Sequence, residues 1–169
     1  MAGGYTLVTD GACSGNGTED ARGGWAAILT APDGAETVLT GGEYPTTNNR
    51  MELMAALEGL RSVPEGSDVE LVTDSSYLAD AISKGWLDGW QRKGWRTAGR
   101  RPVANRDLWE RMIAELGRHR RVRPVLVRGH AGHGANERAD RLAQDAAADA
   151  EPRAEVPVTP GQEQLGLDL

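Results

Sequence analysis

Apolar and polar residues alternate from Tyr5 to Thr9, the period of a half-buried strand, and the run meets a turn signal at Asp10-Gly11. Trp25 to Thr30 predicts a second strand after a glycine-rich loop, and Thr37 to Tyr44 a third, joined through the Pro32-Asp33-Gly34 turn. The three read as an antiparallel meander. At Asn49 the period changes. Met51, Met54, Ala55 and Glu58 fall on one helical face and Leu53, Ala56, Leu57 and Leu60 on the other, which predicts a helix buried around much of its circumference and ending before Pro64. Val69 to Thr73 is a short apolar strand ending at Asp74-Ser75, and a helix follows through Ile82. Leu108, Met112, Ile113 and Leu116 mark a further helix, Val122 to Val127 a further strand, and Ala139, Leu142, Ala143, Ala146 and Ala147 the core-facing stripe of a last helix. Strands first, then strand and helix in alternation, imply an α/β fold: a mixed sheet flanked by helices.

At 169 residues the chain can bury one sizeable core, so a single domain over residues 1–148 is expected. From residue 149 to 169 prolines and acids without periodicity predict a disordered, Pro-rich acidic tail. No run of about eighteen apolar residues is present, and the N-terminus lacks a charged and apolar leader. Cys13 is the only cysteine, and the three histidines show no zinc-site spacing. A soluble cytoplasmic chain is the expectation, without membrane association and monomeric.

A net charge of −6 argues at first against a polyanionic partner. The distribution reverses that. Between Lys84 and Arg106 stand seven basic residues against one acid, Asp88, a local charge of +6 that leaves −12 on the rest. Trp86, Trp90 and Trp95 lie inside this island, and glycines at 85, 89, 94 and 99 interrupt any long helix there. A basic, aromatic island on an acidic body suits a nucleic-acid footprint.

One tetrapeptide occurs twice. Leu7-Val8-Thr9-Asp10 and Leu71-Val72-Thr73-Asp74 are each an apolar strand closed by an aspartate. Paired in parallel, such strands bring their ends about 4.8 Å apart, and two carboxylates so placed repel each other unless a cation lies between them. Taken singly, each acid has a plainer reading. Asp10 and Asp74 fit turn chemistry, Glu52 fits a capping box with Asn49 as N-cap, and Asp140 suits the early turns of a helix.

The set as a whole decides. Thr9-Asp10-Gly11-Ala12-Cys13, the run Thr46-Thr47-Asn48-Asn49-Arg50-Met51-Glu52-Leu53-Met54-Ala55-Ala56, Thr73-Asp74-Ser75, and Gly129-His130-Ala131-Gly132-His133 leading into Asn136-Glu137-Arg138-Ala139-Asp140 resemble bacterial type 1 ribonuclease H, collinearly from about Tyr5 to Ala148. The resemblance implies a ribonuclease H-like fold with a five-stranded sheet of order 3-2-1-4-5, strand 2 antiparallel. It also implies an endonuclease that hydrolyses the RNA strand of RNA–DNA hybrids, leaving 5′-phosphate and 3′-hydroxyl ends. Asp10, Glu52, Asp74 and Asp140 match the metal-binding quartet for two Mg²⁺ ions, with Mn²⁺ as a substitute, and His130 matches the loop histidine that handles a proton. Cys13, Asn16, Asn48, Asn49, Ser75 and Ser76 match positions facing the hybrid. Thr97 matches, with Asn48, a pocket for a DNA phosphate, and Trp86 and Trp90 match the handle over residues 84–106, for which core packing is the rival reading. Ser76 stands where many relatives carry Gln, and the loop from Asn16 to Gly24 is longer than usual. Gln164, Leu165, Leu167 and Leu169 resemble the short peptides by which replication proteins dock on a sliding clamp. A DNA-directed nuclease or resolvase of the same fold, and an inert hybrid-binding module, are the alternatives.

Overall fold

The computed structural model describes residues 4–15, 19–128 and 134–153. The chain runs β1 (Gly4–Ser14), β2 (Arg22–Thr30), β3 (Glu36–Tyr44), α1 (Asn48–Arg61), β4 (Asp68–Thr73), α2 (Ser76–Ser83), α3 (Trp86–Arg92), α4 (Arg106–Arg118), β5 (Arg121–Leu126), α5 (Gly134–Ala148) and β6 (Glu151–Pro152). The sheet order is β5-β4-β1-β2-β3-β6. β2 is antiparallel to both neighbours, and β4 and β5 run parallel to β1. The expected order 3-2-1-4-5 is present, extended by one two-residue strand. Glu151 and Pro152 pair in parallel with Glu43 and Tyr44, and the Arg153 amide donates to the Tyr44 carbonyl at 2.7 Å. The tail expected from residue 149 therefore begins with residues attached to the sheet, a pairing too short to leave a periodic trace in sequence.

Side chains alternate across the sheet and make two cores. Leu7, Ala27, Leu29 and Leu71 face α1, whose Met51, Leu53, Ala56, Leu57 and Leu60 are fully buried. Val8, Ala26 and Ile28 face α5 and meet Ala139 and Ala143. The alanine stripe lets α5 lie almost on the sheet backbone: a Cβ added at Gly24 would collide with the Ala143 carbonyl and the Ala147 amide. β5 is an edge strand, which accommodates Pro124 in its middle.

Two sequence expectations change here. The first strand does not end at Asp10, because antiparallel pairing with β2 continues to Ser14↔Arg22 after parallel pairing with β4 stops at Val8↔Val72. The N-cap of α1 is Thr47, whose hydroxyl accepts from the Arg50 amide at 3.2 Å, not Asn49. Glu52 is thus displaced from the capping-box position.

Gly24→Val should force α5 off the sheet and lower stability by at least about 2 kcal/mol, since no rotamer change can relieve a clash with backbone. Urea unfolding monitored by circular dichroism checks this. A midpoint equal to wild type would contradict the close approach.

Candidate active site

The repeated tetrapeptides pair in register, Leu7 opposite Leu71 and Val8 opposite Val72. Asp10 and Asp74 follow immediately on adjacent strands, Asp10 inside β1 and Asp74 just beyond β4. Glu52 joins them because α1 crosses β1 at Gly11, where an added Cβ would lie 2.6 Å from the Glu52 amide nitrogen. Only a glycine permits that approach. Ligand oxygens of Asp10, Glu52 and Asp74 then lie within 4.8 Å of one another. Asp140, on α5, is not one of that set, yet it reaches Asp10 with its charge and a side-chain hydrogen bond, while also accepting a bond from Gln144 Nε2 at 2.9 Å.

The trio is crowded, and two of its members are buried while Asp74 is half-buried. Asp10 and Glu52 are 4% and 7% exposed. Burial, then the charges of Asp74 and Asp140, push the Asp10 carboxyl from its ordinary 3.8 up to about 7, against a lowering bond from the Gly11 amide at 2.9 Å. Burial, followed by the charges of Asp10 and Asp74, raises Glu52 well above the usual carboxylate range. Asp10 Oδ2 and Glu52 Oε2 are buried without a hydrogen-bond partner. Unpaired buried carboxylate oxygens facing one another are the donor set that a hard divalent cation satisfies, and little else does. The residues fit a metal.

The start of α1 is fixed by Arg50, which is 8% exposed. Its guanidinium makes a two-pronged bond to Asp107 at 3.1 and 2.9 Å, and its Nε bonds Glu43 at 2.9 Å. Burial works to raise Asp107, but Arg50 outweighs it and holds that carboxyl below its ordinary value. β3, α1 and α4 are thereby tied at one point beside Asn48, Asn49 and Glu52. Sequence reading missed Arg50, because one arginine in a polar stretch looks solvated.

The remaining expected residues are distributed around this centre. Cys13 is half-buried, its thiol 3.9 Å from the Thr46 carbonyl, and Asn48 and Asn49 open α1. Ser75 caps α2 by accepting from the Leu78 amide at 3.1 Å, and Ser76 is exposed at its first position. Thr97 lies in a turn of the handle, where its hydroxyl accepts from the Arg101 amide at 3.2 Å. Trp86 and Trp90 part company. Trp86 is 37% exposed, whereas Trp90 is half-buried and packs between Trp86, Trp95 and the buried Trp109, at centroid distances of 6.2, 6.4 and 5.5 Å. Asn16, His130, and Gln164, Leu165, Leu167 and Leu169 lie outside the described residues.

The family model for RNase H matches residues 3–148. A ribonuclease H of Thermus thermophilus is 51% identical over 154 residues, 91% of this chain and 88% of the relative. Among solved structures, LC9-RNase H1, a type 1 RNase H with the type 2 active-site motif, superposes with a TM-score of 0.76 at 28% identity, over 98% of this chain and 86% of that one. The foamy viral protease-reverse transcriptase in complex with RNA/DNA hybrid superposes with a TM-score of 0.71 at 18% identity, over 86% of this chain and 20% of that one, a likeness of fold alone.

A carboxyl whose folded pKa is raised contributes stability that is complete below its unfolded value and lost as pH rises through the folded one. For Asp10 that window runs from 3.8 to about 7. Without metal, Asp10→Asn should therefore melt higher than wild type at pH 8, by roughly 3–6 °C, and the two should converge near pH 4. Mg²⁺ should raise the melting temperature of wild type at pH 8 and not that of the variant. Calorimetry with and without a chelator reads both; a variant that melts lower than metal-free wild type at pH 8 would sink the account.

Proposed function

The chain belongs to the ribonuclease H family and is a ribonuclease H enzyme, and from that premise we propose that it hydrolyses the RNA strand of RNA–DNA hybrids with two divalent metal ions. The observation that carries the reading is the cluster of Asp10, Glu52 and Asp74, in which Asp10 and Glu52 each keep a buried, unpaired oxygen.

Asp10, Glu52 and Asp74 would hold the metal, with Asp140 completing the set from α5. Two Mg²⁺ ions, when bound, supply activation of the attacking water and stabilisation of the leaving 3′-oxygen, which yields 5′-phosphate and 3′-hydroxyl ends. Mn²⁺ satisfies the same oxygen donors. The chain's own part is placement. Strand register holds Asp10 against Asp74, the Gly11 crossing brings in Glu52, and the Arg50 tie prevents repulsion from levering α1 away. His130, by its match to the family's histidine, accepts or relays a proton beside the attacking water.

Selection of RNA opposite DNA needs a reader of the 2′-hydroxyl. Cys13, Asn16, Asn48, Asn49, Ser75 and Ser76 are the polar groups assigned to that face, amides and hydroxyls that both donate and accept, with one weakly polar thiol. The DNA strand falls to the handle, where Trp86 offers a stacking surface among Lys93 and Arg96, and to Thr97 with Asn48. No helix among the described residues is long and apolar enough to cross a membrane. The chain acts as a monomer in the cytoplasm on this reading.

The test is cleavage of labelled RNA–DNA hybrid, RNA duplex and DNA duplex with Mg²⁺. Hybrid alone should be cut, and Asp74→Asn should reduce the rate by at least about a hundred-fold, as expected when developing charge loses one stabilising group. Cleavage of duplex DNA would favour a DNA-directed nuclease, and binding without cleavage an inert hybrid-binding module.

The C-terminal Gln164, Leu165, Leu167 and Leu169 support a second contact, docking of the tail in an apolar groove of a sliding clamp. A pull-down should lose the clamp when residues 164–169 are deleted; retention would refute the contact.

A further inference from the structure

Next to the carboxylate trio, and sharing Asp74 with it, a recess of about 420 Å³ is lined by Asp74, Ser76, Leu126, Val127 and Arg128. Its walls come from the ends of two paired strands. Thr73 lies opposite Leu126, and the Val127 amide donates to the Thr73 carbonyl at 2.9 Å, so Arg128 emerges beside the Asp74-Ser75 corner. Leu126 is 41% exposed, an apolar side chain left uncovered beside a cluster of acids. Arg128 is exposed and makes no hydrogen bond or ion pair with another described residue. Two nearby arginines differ: Arg120, just before β5, is bonded to Asp68, and Arg123, within it, to Glu70. A shorter residue at 76 keeps the recess open, since serine fills little of it.

We propose that Arg128 grips a phosphate of the cleaved strand, next to the scissile one, and that the recess seats the sugar attached to it. The inference rests on the hybrid-cleaving function proposed above. The chemistry matches a ribose-phosphate unit. A guanidinium presents a planar fork of donors suited to two phosphate oxygens. Leu126 and Val127 supply apolar surface for the carbons of the ribose, and the Ser76 hydroxyl supplies a donor and acceptor for its hydroxyls. Asp74 belongs to both the recess and the carboxylate trio, so a strand held here passes directly into the reacting site. Its acidity also makes a phosphate unwelcome unless a cation is near. Arg128 supplies that charge, and no residue of the handle is among those lining the recess. Arg128 is a positioning residue on this reading: it binds the strand and leaves proton transfers to others.

The experiment compares wild type, Arg128→Ala and Arg128→Lys as full chains, each checked for an unchanged melting temperature. KM and kcat on RNA–DNA hybrid are measured with Mg²⁺ over a series of salt concentrations. Arg128→Ala should raise KM roughly three- to ten-fold, move kcat less than KM, and reduce the slope of log KM against log salt by about 0.9, one phosphate contact. Arg128→Lys should restore the slope. Ser76→Gln, which fills the recess, should raise KM by itself and shrink the further effect of Arg128→Ala. An unaltered slope in Arg128→Ala overturns the proposal, whether KM stays constant or changes. So does a loss confined to kcat, or a changed Mg²⁺-induced shift in melting temperature, either of which would place Arg128 in the metal centre's electrostatics. If wild type neither binds nor cuts the hybrid, the proposed function fails; if wild type cuts and only the Arg128 effects are missing, the phosphate seat alone is rejected.

Discussion

Mutual repulsion among buried carboxylates is the constraint around which this chain is organised. Three acids with ligand oxygens within 4.8 Å of one another oppose the compact state whenever they are charged. Something stiffer than the side chains must hold them. Here it is backbone: hydrogen-bonded strand register for Asp10 and Asp74, and a helix pressed on a glycine for Glu52. The two apolar cores on either face of the sheet supply the cohesion, with α1 contributing a nearly all-round buried surface and α5 a seam of alanines. The Arg50 bonds to Asp107 and Glu43 brace the helix end from which Glu52 projects. Stability and chemistry are therefore in tension at one place, and a cation relieves it.

Much of this was legible in the residues. Period-two and helical patterning located the strands and helices, because each buries one face or nearly all of itself. The repeated Leu-Val-Thr-Asp foretold the pairing of β1 with β4, and the structure places the repeats opposite each other in register. Glu52 and Asp140 carried no such sign. Helix dipole and capping chemistry explain an acid near a helix start equally well, and only the similarity to ribonuclease H singled them out. The cap proved to be Thr47, which removes the rival explanation for Glu52.

What stayed hidden shares a physical cause. Arg50 acts through partners 7 and 57 residues away in sequence, and no local pattern encodes such distances. Gly24 reads as a loop or bulge residue, whereas its task is to admit the backbone of a helix that follows more than a hundred residues later. The end of β1 was misjudged because Asp-Gly is a strong turn signal, and here a neighbouring strand carries the extended backbone through it to Ser14. The short β6 owes its existence to β3 alone.

Four of the five tryptophans form a continuous array, Trp86 to Trp90, then Trp95 on one side and Trp109 on the other, with centroid separations between 5.5 and 6.4 Å. Rings this close exchange excitation energy readily. Emission from these four rings is consequently shared between the basic handle and Trp109 of α4, with Trp25 the separate contributor, seated over Gly41. Light absorbed at the buried Trp109 can leave through the exposed Trp86, so quenching at one surface ring will darken the interior ones as well. The handle thus carries its own optical reporter, built from the same side chains that anchor it to the core.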